Sequence, residues 1–399
     1  MPSAFRPGSA LEVLQAFFKL GVSSFGGPVA HIGYFREEFV VRRRWLQDAA
    51  FSDLVALCQF LPGPASSQVG FSIGLMRAGY RGALAAWIGF TLPSAVALML
   101  FAGGLSAARG PTGAGILHGL KLVAVAVVAQ AVWGMARTLC PDLRRAMIAG
   151  AAVLIVLSSA SAGAQVAAIF LGGMAGLWLC RSSAAAAATG SFAVPVSRRA
   201  GLASFAIFGA LLMGLPLLIS AGAPRGVELF GAFYRSGALV FGGGHVVLPL
   251  LRDAFVMPGW VSDDAFLAGY GAAQAIPGPL FTFAAYLGAV VKLRPNGLAG
   301  ALIGLAGIFL PGLLILIAAL PFWQILRART DAQAAMRGIN AAVVGILGAA
   351  LYNPVWTSSV ARAGDVAAAL VGFALLTFWR VPPLLVVLMG ALAGIGLAH

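Results

Sequence analysis

Two basic residues lie inside apolar stretches of the chain at matching distances from a pair of glycines. Lys19 lies six residues before the Phe-Gly-Gly triplet at 25–27, and Arg235 lies six residues before the same triplet at 241–243. A charged side chain within a membrane segment is costly and is taken as functional by default. Two such cations could bind a doubly charged anion; the alternative is that both extend their aliphatic stems to the membrane surface.

The glycine pairs themselves interrupt apolar segments. The first break is Gly26-Gly27-Pro28 and the second is Gly242-Gly243-Gly244. Glycine widens the choice of backbone conformation, and proline removes a donor from the helix ladder. A half-helix that begins after such a break directs free N–H groups at an anion, whereas the alternative role of the glycines is close helix packing. Because one break ends in proline and the other in glycine, a fully symmetric anion cradle is not expected.

Each glycine break is followed by a Pro-Gly-Pro break that stands shortly after a glutamine. Gln59 precedes Pro62-Gly63-Pro64, and Gln274 precedes Pro277-Gly278-Pro279. A glutamine amide donates and accepts hydrogen bonds, so each could hold an oxyanion or satisfy the carbonyls that proline leaves free. The polar residues after these breaks, which can line a cavity or repair the backbone, are Ser66, Ser67, Gln68 and Thr282.

Acidic residues are few, and two of them stand next to an arginine after the glycine breaks, as Arg36-Glu37 and Arg252-Asp253. Glu37 and Asp253 could carry protons if burial raises their pKa. The alternative is a loop salt bridge between each acid and its neighbouring arginine.

The histidines and cysteines give no sign of a metal site or of enzyme chemistry. The four histidines lack metal-ligand spacing, although His31 and His245 follow the glycine breaks and could titrate near neutral pH. The three cysteines show neither pairing nor metal spacing. No phosphate loop, nucleophile elbow or redox motif is present. We therefore expect no cofactor, no metal and no enzymatic activity.

These motifs belong to a duplication that runs through the chain at an offset of about 215–219 residues. Each half contains the glycine break, the arginine–acid pair, a tryptophan (Trp45 or Trp260) and the Pro-Gly-Pro break, in that order. A duplicated apolar half with matching helix-breaking segments is typical of secondary transporters.

The composition is that of a multi-spanning membrane protein. Hydrophobic residues make up 60% of the chain and charged residues 10%, against about 25% charged residues in soluble domains. The net charge of +14 fits basic cytoplasmic loops or attraction of an anionic solute. Since the basic residues are spread over many short loops, nucleic-acid binding is not expected.

Thirteen apolar segments are candidates for membrane crossings, each needing about 20 residues. In the first half they lie near 10–34, 48–76, 82–107, 114–138, 146–161 and 164–181; a lone segment lies near 202–223; in the second half they lie near 226–250, 263–291, 297–321, 334–352, 363–379 and 381–398. We predict an all-α polytopic protein with a first repeat at 1–181, a linker at 182–199, an extra helix at 200–224 and a second repeat at 225–399.

The extra helix determines how the repeats are oriented. Six segments plus one is an odd number, so the second repeat enters the membrane in the opposite sense and the repeats are inverted. If the lone segment does not cross, the repeats are parallel. A cytoplasmic N-terminus places most arginine-rich loops inside, and the segments with breaks either cross fully or dip in and return.

The motif strings resemble the chromate ion transporter family in its long, two-domain form. The resemblance covers nearly the whole chain and rests on FFKLGVSSFGGPVAHIGYF, QFLPGPASSQ, FGGGHVVLPLL and AIPGPLFTFAAYLG. It implies a bacterial-type inner-membrane protein that exports chromate, with coupling to an ion gradient or exchange for sulfate. The implied partners are a small oxyanion and the lipid bilayer, with a homodimer left open.

Within this resemblance the motif positions become the candidate site. The substrate-binding candidates are Lys19, Gly26, Gly27, Gln59, Pro62, Gly63, Pro64, Arg235, Gly242, Gly243, Gln274, Pro277, Gly278 and Pro279. Arg36 and Arg252 are candidates for guarding an entrance, and Glu37 and Asp253 for proton coupling. A sulfate or other oxyanion importer and an anion channel remain alternatives, because chromate and sulfate are both tetrahedral dianions and no residue separates them.

Overall fold

The computed structural model describes residues 8–25, 27–107, 111–159, 162–181, 195–241, 244–323, 325 and 329–397. Within these ranges the chain has sixteen α-helices of at least eight residues and no β-strand. In order they are α1 Ala10–Ser23, α2 Gly27–Arg36, α3 Asp48–Phe60, α4 Ala65–Ala107, α5 Pro111–Leu139, α6 Leu143–Ser158, α7 Ala162–Leu179, α8 Arg198–Ser220, α9 Arg225–Ala238, α10 Val247–Phe255, α11 Asp263–Ala273, α12 Phe283–Val290, α13 Gly297–Ala319, α14 Thr330–Ala350, α15 Ala363–Thr377 and α16 Pro383–Leu397.

Five helices are long and apolar enough to cross a membrane: α4, α5, α8, α13 and α14, the last together with the turns that follow it. Shorter apolar helices include α7, α12, α15 and α16. The predicted all-α polytopic membrane protein is thereby confirmed, while the count of thirteen crossings stays a prediction. The helix α4 is kinked where Ala78 and Gly79 leave helical geometry, so it joins two of the predicted segments.

The four segments predicted to be broken each form two helices. The first separates into α1 and α2, and the second into α3 and the start of α4. Their counterparts are α9 with α10, and α11 with α12. At the Pro-Gly-Pro breaks the backbone turns through a left-handed conformation, with φ of +116° at Gly63 and +103° at Gly278. Only glycine adopts this conformation readily, which explains why it stands between the prolines.

Aromatic stacks hold each broken hairpin closed at equivalent positions. In the first half Phe39 stacks on Phe17 with ring centroids 4.8 Å apart and on Trp45 at 4.9 Å. In the second half the equivalent Phe255 packs on Phe233, with ring centroids 4.4 Å apart, and on Trp260 at 5.7 Å. Trp260 is half-buried and the other rings are buried, and aromatic pairs add about 0.5–1.5 kcal/mol beyond their area.

The two halves exchange helices. The helix α5 of the first half packs against α11, α15 and α16 of the second half. The equivalent helix of the second half, α14, packs against α6 and α7 of the first half. The polypeptide is therefore interleaved, and most of the contacts of α5 and α14 cross between halves.

Glycines make this exchange possible because they let helix backbones touch. A Cβ added at Gly119 of α5 would collide with the carbonyl of Gly390 on α16. A Cβ at the equivalent Gly338 of α14 would collide with the carbonyl of Gly172 on α7. Small residues at such crossings are the usual means of close helix packing in membranes.

Candidate functional site

The breaks of one half bond to the breaks of the other half. The Gly278 N–H donates to the Ser24 carbonyl at 3.0 Å, and the Gly63 N–H donates to the Val240 carbonyl at 2.7 Å. Ser24 and Val240 are equivalent positions of the two halves, as are the two glycines. Each Pro-Gly-Pro loop therefore lies against the glycine break of the opposite half, and the four breaks meet in one region.

This region is packed so closely that side chains are excluded at the central glycines. A Cβ on Gly63 would lie 2.9 Å from Gly312 Cα, and a Cβ on Gly278 would lie 2.8 Å from Ser94 Oγ. Gly26, Gly242 and Gly243 lie outside the described residues. At Gly27 a Cβ would meet nothing within 4 Å, and the positive φ of +77° is what favours glycine there. The role of Gly27, Gly63 and Gly278 in substrate binding stays a prediction.

His31 links the first glycine break to the start of α4. Its Nε2 lies 3.2 Å from the Ser24 carbonyl and its Nδ1 lies 3.4 Å from Ser66 Oγ. A carbonyl only accepts, so the neutral ring carries its proton on Nε2 and accepts from Ser66 at Nδ1. The side chain is 1% exposed and packs edge-on against Phe90.

Several polar side chains around α4 and the first glycine break are buried with no hydrogen-bond partner among the described residues. Their unpaired atoms are Ser24 Oγ, Ser67 Oγ, Gln68 Oε1, Ser72 Oγ and Thr91 Oγ1. We call these five residues, together with His31 and Ser66, the polar cluster. Its members are at most 3% exposed. Each unsatisfied buried group costs about 1–3 kcal/mol, so groups of this kind favour a polar ligand or water that would pair with them.

The amide of Gln68 shows how the polar cluster is tied to both halves. Its Nε2 donates to the Pro62 carbonyl at 2.9 Å and to the Gly312 carbonyl of α13 at 2.8 Å. Both amide protons are thereby used, and Oε1 stays available to accept. The glutamine repairs the proline break and orients the first turn of α4.

The polar cluster has no polar counterpart in the second half. The positions equivalent to Ser24, Gln68, Ser72 and Thr91 hold Val240, Phe283, Leu287 and Phe309. Ser67 matches Thr282, whose hydroxyl is already bonded to the Pro279 carbonyl at 2.7 Å. The breaks therefore share a backbone arrangement, whereas the unpaired hydroxyls at Ser24, Ser72 and Thr91 have apolar residues at their equivalent positions in the second half.

The predicted cations are placed away from the polar cluster. Lys19 on α1 and Arg235 on α9 are both exposed. Arg235 lines a cavity of about 390 Å³ between α8 and α9, beside Glu228 and Trp260. Their role in substrate binding stays a prediction.

The predicted glutamines differ in environment. Gln59 at the end of α3 is exposed. Gln274 is half-buried, and its Nε2 is buried with no partner among the described residues. Its side chain bonds to that of Tyr270. Of the two predicted glutamines, Gln274 is therefore the one with a buried amide donor that has no partner among the described residues.

The arginine–acid pairs differ from the predicted salt bridges. Arg36 Nε contacts Asp48 Oδ1 at 2.6 Å, and Arg252 contacts Asp263 at 3.1 Å. The expected pairing with Glu37 and Asp253 was wrong because each arginine extends to the acid that opens the next helix. The two bridges occupy equivalent positions and join α2 to α3 and α10 to α11.

The acids proposed for proton transfer are in unlike surroundings. Glu37 is exposed. Asp253, beyond the predicted segment 226–250, accepts a 2.6 Å hydrogen bond from Gln165, and burial raises its pKa while Arg252 opposes this shift. The buried acid after the first break is Glu38, the neighbour of Glu37, and it pairs with Arg42 and Arg43.

With this geometry in hand, comparison with known proteins decides the family. The family model described as "Chromate transporter" matches twice, at residues 11–177 and 227–395. The chain belongs to the chromate transporter family. This confirms the resemblance inferred from the motif strings.

Relatives of this chromate transporter family member include full-length and shorter proteins. The chain is 28% identical over 351 residues to a chromate transport protein of Pseudomonas aeruginosa, covering 86% of this chain and 80% of that protein. It is 25% identical over 408 residues to a probable chromate transport protein of Synechococcus elongatus, covering 97% and 95%. It is 35% identical over 91 residues to the uncharacterized transporter YwrA of Bacillus subtilis, covering 23% and 51%. No solved structure matches.

The sequence motifs do not identify every residue of the polar cluster. Ser66, Ser67, Gln68 and His31 follow the breaks and were noticed, whereas Ser24, Ser72 and Thr91 were not. A position-by-position comparison of the two halves supplies the missing signal, because these are sites where an apolar segment has a hydroxyl in one copy only.

Proposed function

We propose that this chain is a secondary transporter that moves chromate out of the cytoplasm across a bacterial-type inner membrane. Membership of the chromate transporter family and similarity to proteins named for chromate transport support the substrate. Export, coupling to an ion gradient and exchange with sulfate are further parts of the proposal.

The observation that carries the proposal is the polar cluster, in which His31 bonds to Ser24 at the first glycine break and to Ser66 after the first Pro-Gly-Pro break. A chromate ion is a tetrahedral dianion that needs hydrogen-bond donors around its oxygens. The free hydroxyls of Ser24, Ser67, Ser72 and Thr91 supply neutral donors. The helix α4 begins at Ala65, and its N-terminus offers an anion free backbone N–H groups and the positive end of the helix dipole. Such a site binds a dianion without a buried cation.

Alternating access follows if the repeats are inverted, which we propose as the topology. The exchange of helices and the reciprocal bonds at Ser24 and Val240 support a two-fold relation between the halves. Rocking of one helix bundle, built from both halves, against the other bundle would then expose the polar cluster to each side in turn.

The decisive experiment is chromate uptake into inside-out vesicles that carry the protein, with and without a proton gradient and with sulfate as competitor. Gradient-dependent uptake that sulfate blocks supports chromate export through a shared oxyanion site. Sulfate movement without chromate movement would give the function to a sulfate carrier. Unitary currents in planar bilayers would instead indicate an anion channel.

The hydroxyls provide a variant that separates binding from folding. We expect Ser24→Ala combined with Ser67→Ala to lower the rate of chromate uptake at limiting substrate about tenfold or more, since each lost donor is worth roughly 1 kcal/mol. The melting temperature should be unchanged or higher, because the variant removes two unpaired buried hydroxyls.

The matched control is Ser158→Ala, whose hydroxyl is exposed and bonds within α6 to the Ile155 carbonyl. This variant should transport like the wild type. Normal transport by the Ser24/Ser67 double variant would show that the polar cluster does not bind the substrate.

A further inference from the structure

Four arginines from three parts of the chain converge on a pocket far along the sequence from the breaks. The pocket has a volume of about 570 Å³. Its lining residues are Asp142, Leu143, Arg144, Arg145, Leu179, Cys180, Arg181 and Arg337. It lies where the start of α6, the end of α7 and the first half of α14 come together.

Two of the arginines are held by the C-terminal end of α7. Arg144 donates from Nη1 to the Leu179 carbonyl at 3.1 Å, and Arg337 donates from Nη1 to the Cys180 carbonyl at 2.8 Å. Cations are favourable at helix C-termini, where carbonyls are free. Each guanidinium carries five N–H donors, so both retain donors for a further ligand.

The carboxylates near the pocket balance only half of its charge. Arg145 pairs with Asp142 at 2.6 Å, and hydrogen bonds from Arg145 hold the pKa of Asp142 below its usual range. Arg181 pairs with Asp331 at 3.2 Å. Among the described residues, neither Arg144 nor Arg337 has a carboxylate within 4.0 Å; their partners are backbone carbonyls and the amide of Gln333. The pocket therefore keeps two uncompensated positive charges.

The equivalent region of the other half is neutralised. On α5, His118 bonds to Asp365 at 2.7 Å and Lys121 bonds to Asp264 at 2.8 Å. His118 and Lys121 correspond to Arg337 and Asn340 of α14. Since the residue equivalent to Arg337 bonds to an acid, the absence of a carboxylate beside Arg337 among the described residues is not a requirement of the helix packing.

The arginine pocket opens onto apolar surface. On α6, Leu143 is 75% exposed and Leu154 is 71% exposed. On α7, Trp178 is 81% exposed and Phe170 is 67% exposed. Trp178 stands one residue before Leu179, whose carbonyl Arg144 binds, and tryptophan is enriched at membrane surfaces. A ligand in the pocket thus has its charged part among the arginines and apolar helix faces directly beside it.

We propose that the arginine pocket binds the phosphate group of an anionic phospholipid, with its acyl chains along the exposed faces of α6 and α7. Arginine forks match phosphate oxygens in two-bond geometry. Basic pockets between membrane helices on the cytoplasmic side are suited to such headgroups. The site is separate from the polar cluster, and the proposal does not depend on the transported ion.

The test is lipid binding to the purified full-length protein, followed by native mass spectrometry and by melting temperature. Dioleoyl phosphatidylglycerol should bind and stabilise the wild type, whereas dioleoyl phosphatidylcholine should not. We expect Arg144→Gln with Arg337→Gln to weaken phosphatidylglycerol binding roughly thirtyfold. Each arginine should contribute about 1 kcal/mol of attraction to the anionic headgroup, and the double variant removes two of them.

Two further variants distinguish an effect of the pocket on lipid binding from an effect of overall charge or of misfolding. Arg198→Gln with Arg199→Gln removes the same charge from two exposed arginines at the start of α8 and should change binding less than about twofold. Arg181→Gln leaves the α7 carbonyls capped, because Arg144 and Arg337 bind them while Arg181 pairs with Asp331. This variant should weaken binding about fivefold.

The outcomes are distinct. Loss of lipid binding in the Arg181 and Arg144/Arg337 variants, with the α8 control unchanged, supports the proposal. Equal binding of both lipids, or equal losses in all three variants, would overturn it. Full displacement of phosphatidylglycerol by inorganic phosphate or sulfate at constant ionic strength would show a free-oxyanion site and would also overturn the lipid assignment.

Discussion

His31 connects the first glycine break to the start of α4, just after the first Pro-Gly-Pro break, through two hydrogen bonds of its ring. Its ring bonds to Ser24 in the first glycine break and to Ser66 at the start of α4, and the Ser24 carbonyl also accepts from Gly278 of the opposite half. One neutral side chain with one donor and one acceptor therefore coordinates three elements.

This arrangement predicts unequal effects of two substitutions at His31. His31→Gln keeps a donor and an acceptor on a side chain of similar reach, so it should retain a measurable part of chromate uptake. His31→Leu leaves the Ser24 carbonyl and the Ser66 hydroxyl with one partner fewer and should lower both uptake and melting temperature, at about 1–3 kcal/mol per orphaned group. Equal loss in both variants would contradict the hydrogen-bonding role.

At this scale the sequence located the breaks but not the polar cluster. The breaks at Gly63 and Gly278 were predictable because each glycine stands between two prolines. Both glycines adopt a left-handed backbone conformation, which glycine alone adopts readily. Ser72 and Thr91 were not, since a hydroxyl inside a membrane helix most often bonds to its own backbone. Their lack of partners is a property of the folded neighbourhood.

Helix crossings through glycine provide the test at the scale of elements. Gly338 lies where α14 meets α7, and a Cβ there would strike the Gly172 carbonyl and Gly176 Cα. We expect Gly338→Leu to lower the melting temperature and the yield of folded protein strongly, because an overpacked crossing costs about 1–3 kcal/mol or more. Fluorescence-detected size exclusion on detergent extracts would measure both.

Gly134→Leu on α5 is the matched control for this experiment. Nothing lies within 4 Å of a Cβ at Gly134, so the same change of volume meets open space. A similar loss in both variants would mean that helix propensity, and not the crossing, sets the effect.

The sequence predicted the helices better than their partners. Breaks at glycine and proline divided the segments correctly, as α9 and α10 or α11 and α12 show. The exchange of α5 and α14 between halves was not predicted, because apolar side chains all round a membrane helix do not reveal which face meets protein. The salt bridge of Arg252 to Asp263 was not predicted either. The sequence suggested Asp253 as the partner because it is the next residue, whereas the fold brings the start of α11 close to α10.

The whole molecule is built so that neither half completes its own packing. In the first half α5 leaves its neighbours to contact α15 and α16, and in the second half α14 does the reverse. Stability is therefore a joint property of both halves.

A split chain tests this dependence. Residues 1–190 and 191–399, expressed separately, should each fail to accumulate in the membrane, because the helix exchange leaves large faces uncovered. Expressed together from one operon, they should associate and restore chromate uptake. Normal accumulation and a sharp melting transition of either fragment alone would show that the halves fold independently.

The difference between the repeats at the positions of the polar cluster also bears on how such a chain can change over time. Two identical copies of a half-length protein receive every substitution twice, so a loss of Ser24 or Ser72 would remove it from both. In a fused duplicate, one repeat can exchange its polar residues for Val240 or Leu287 while the other keeps them. Fusion thus permits a division of labour in which one repeat retains the chemistry and its twin is free to specialise as support.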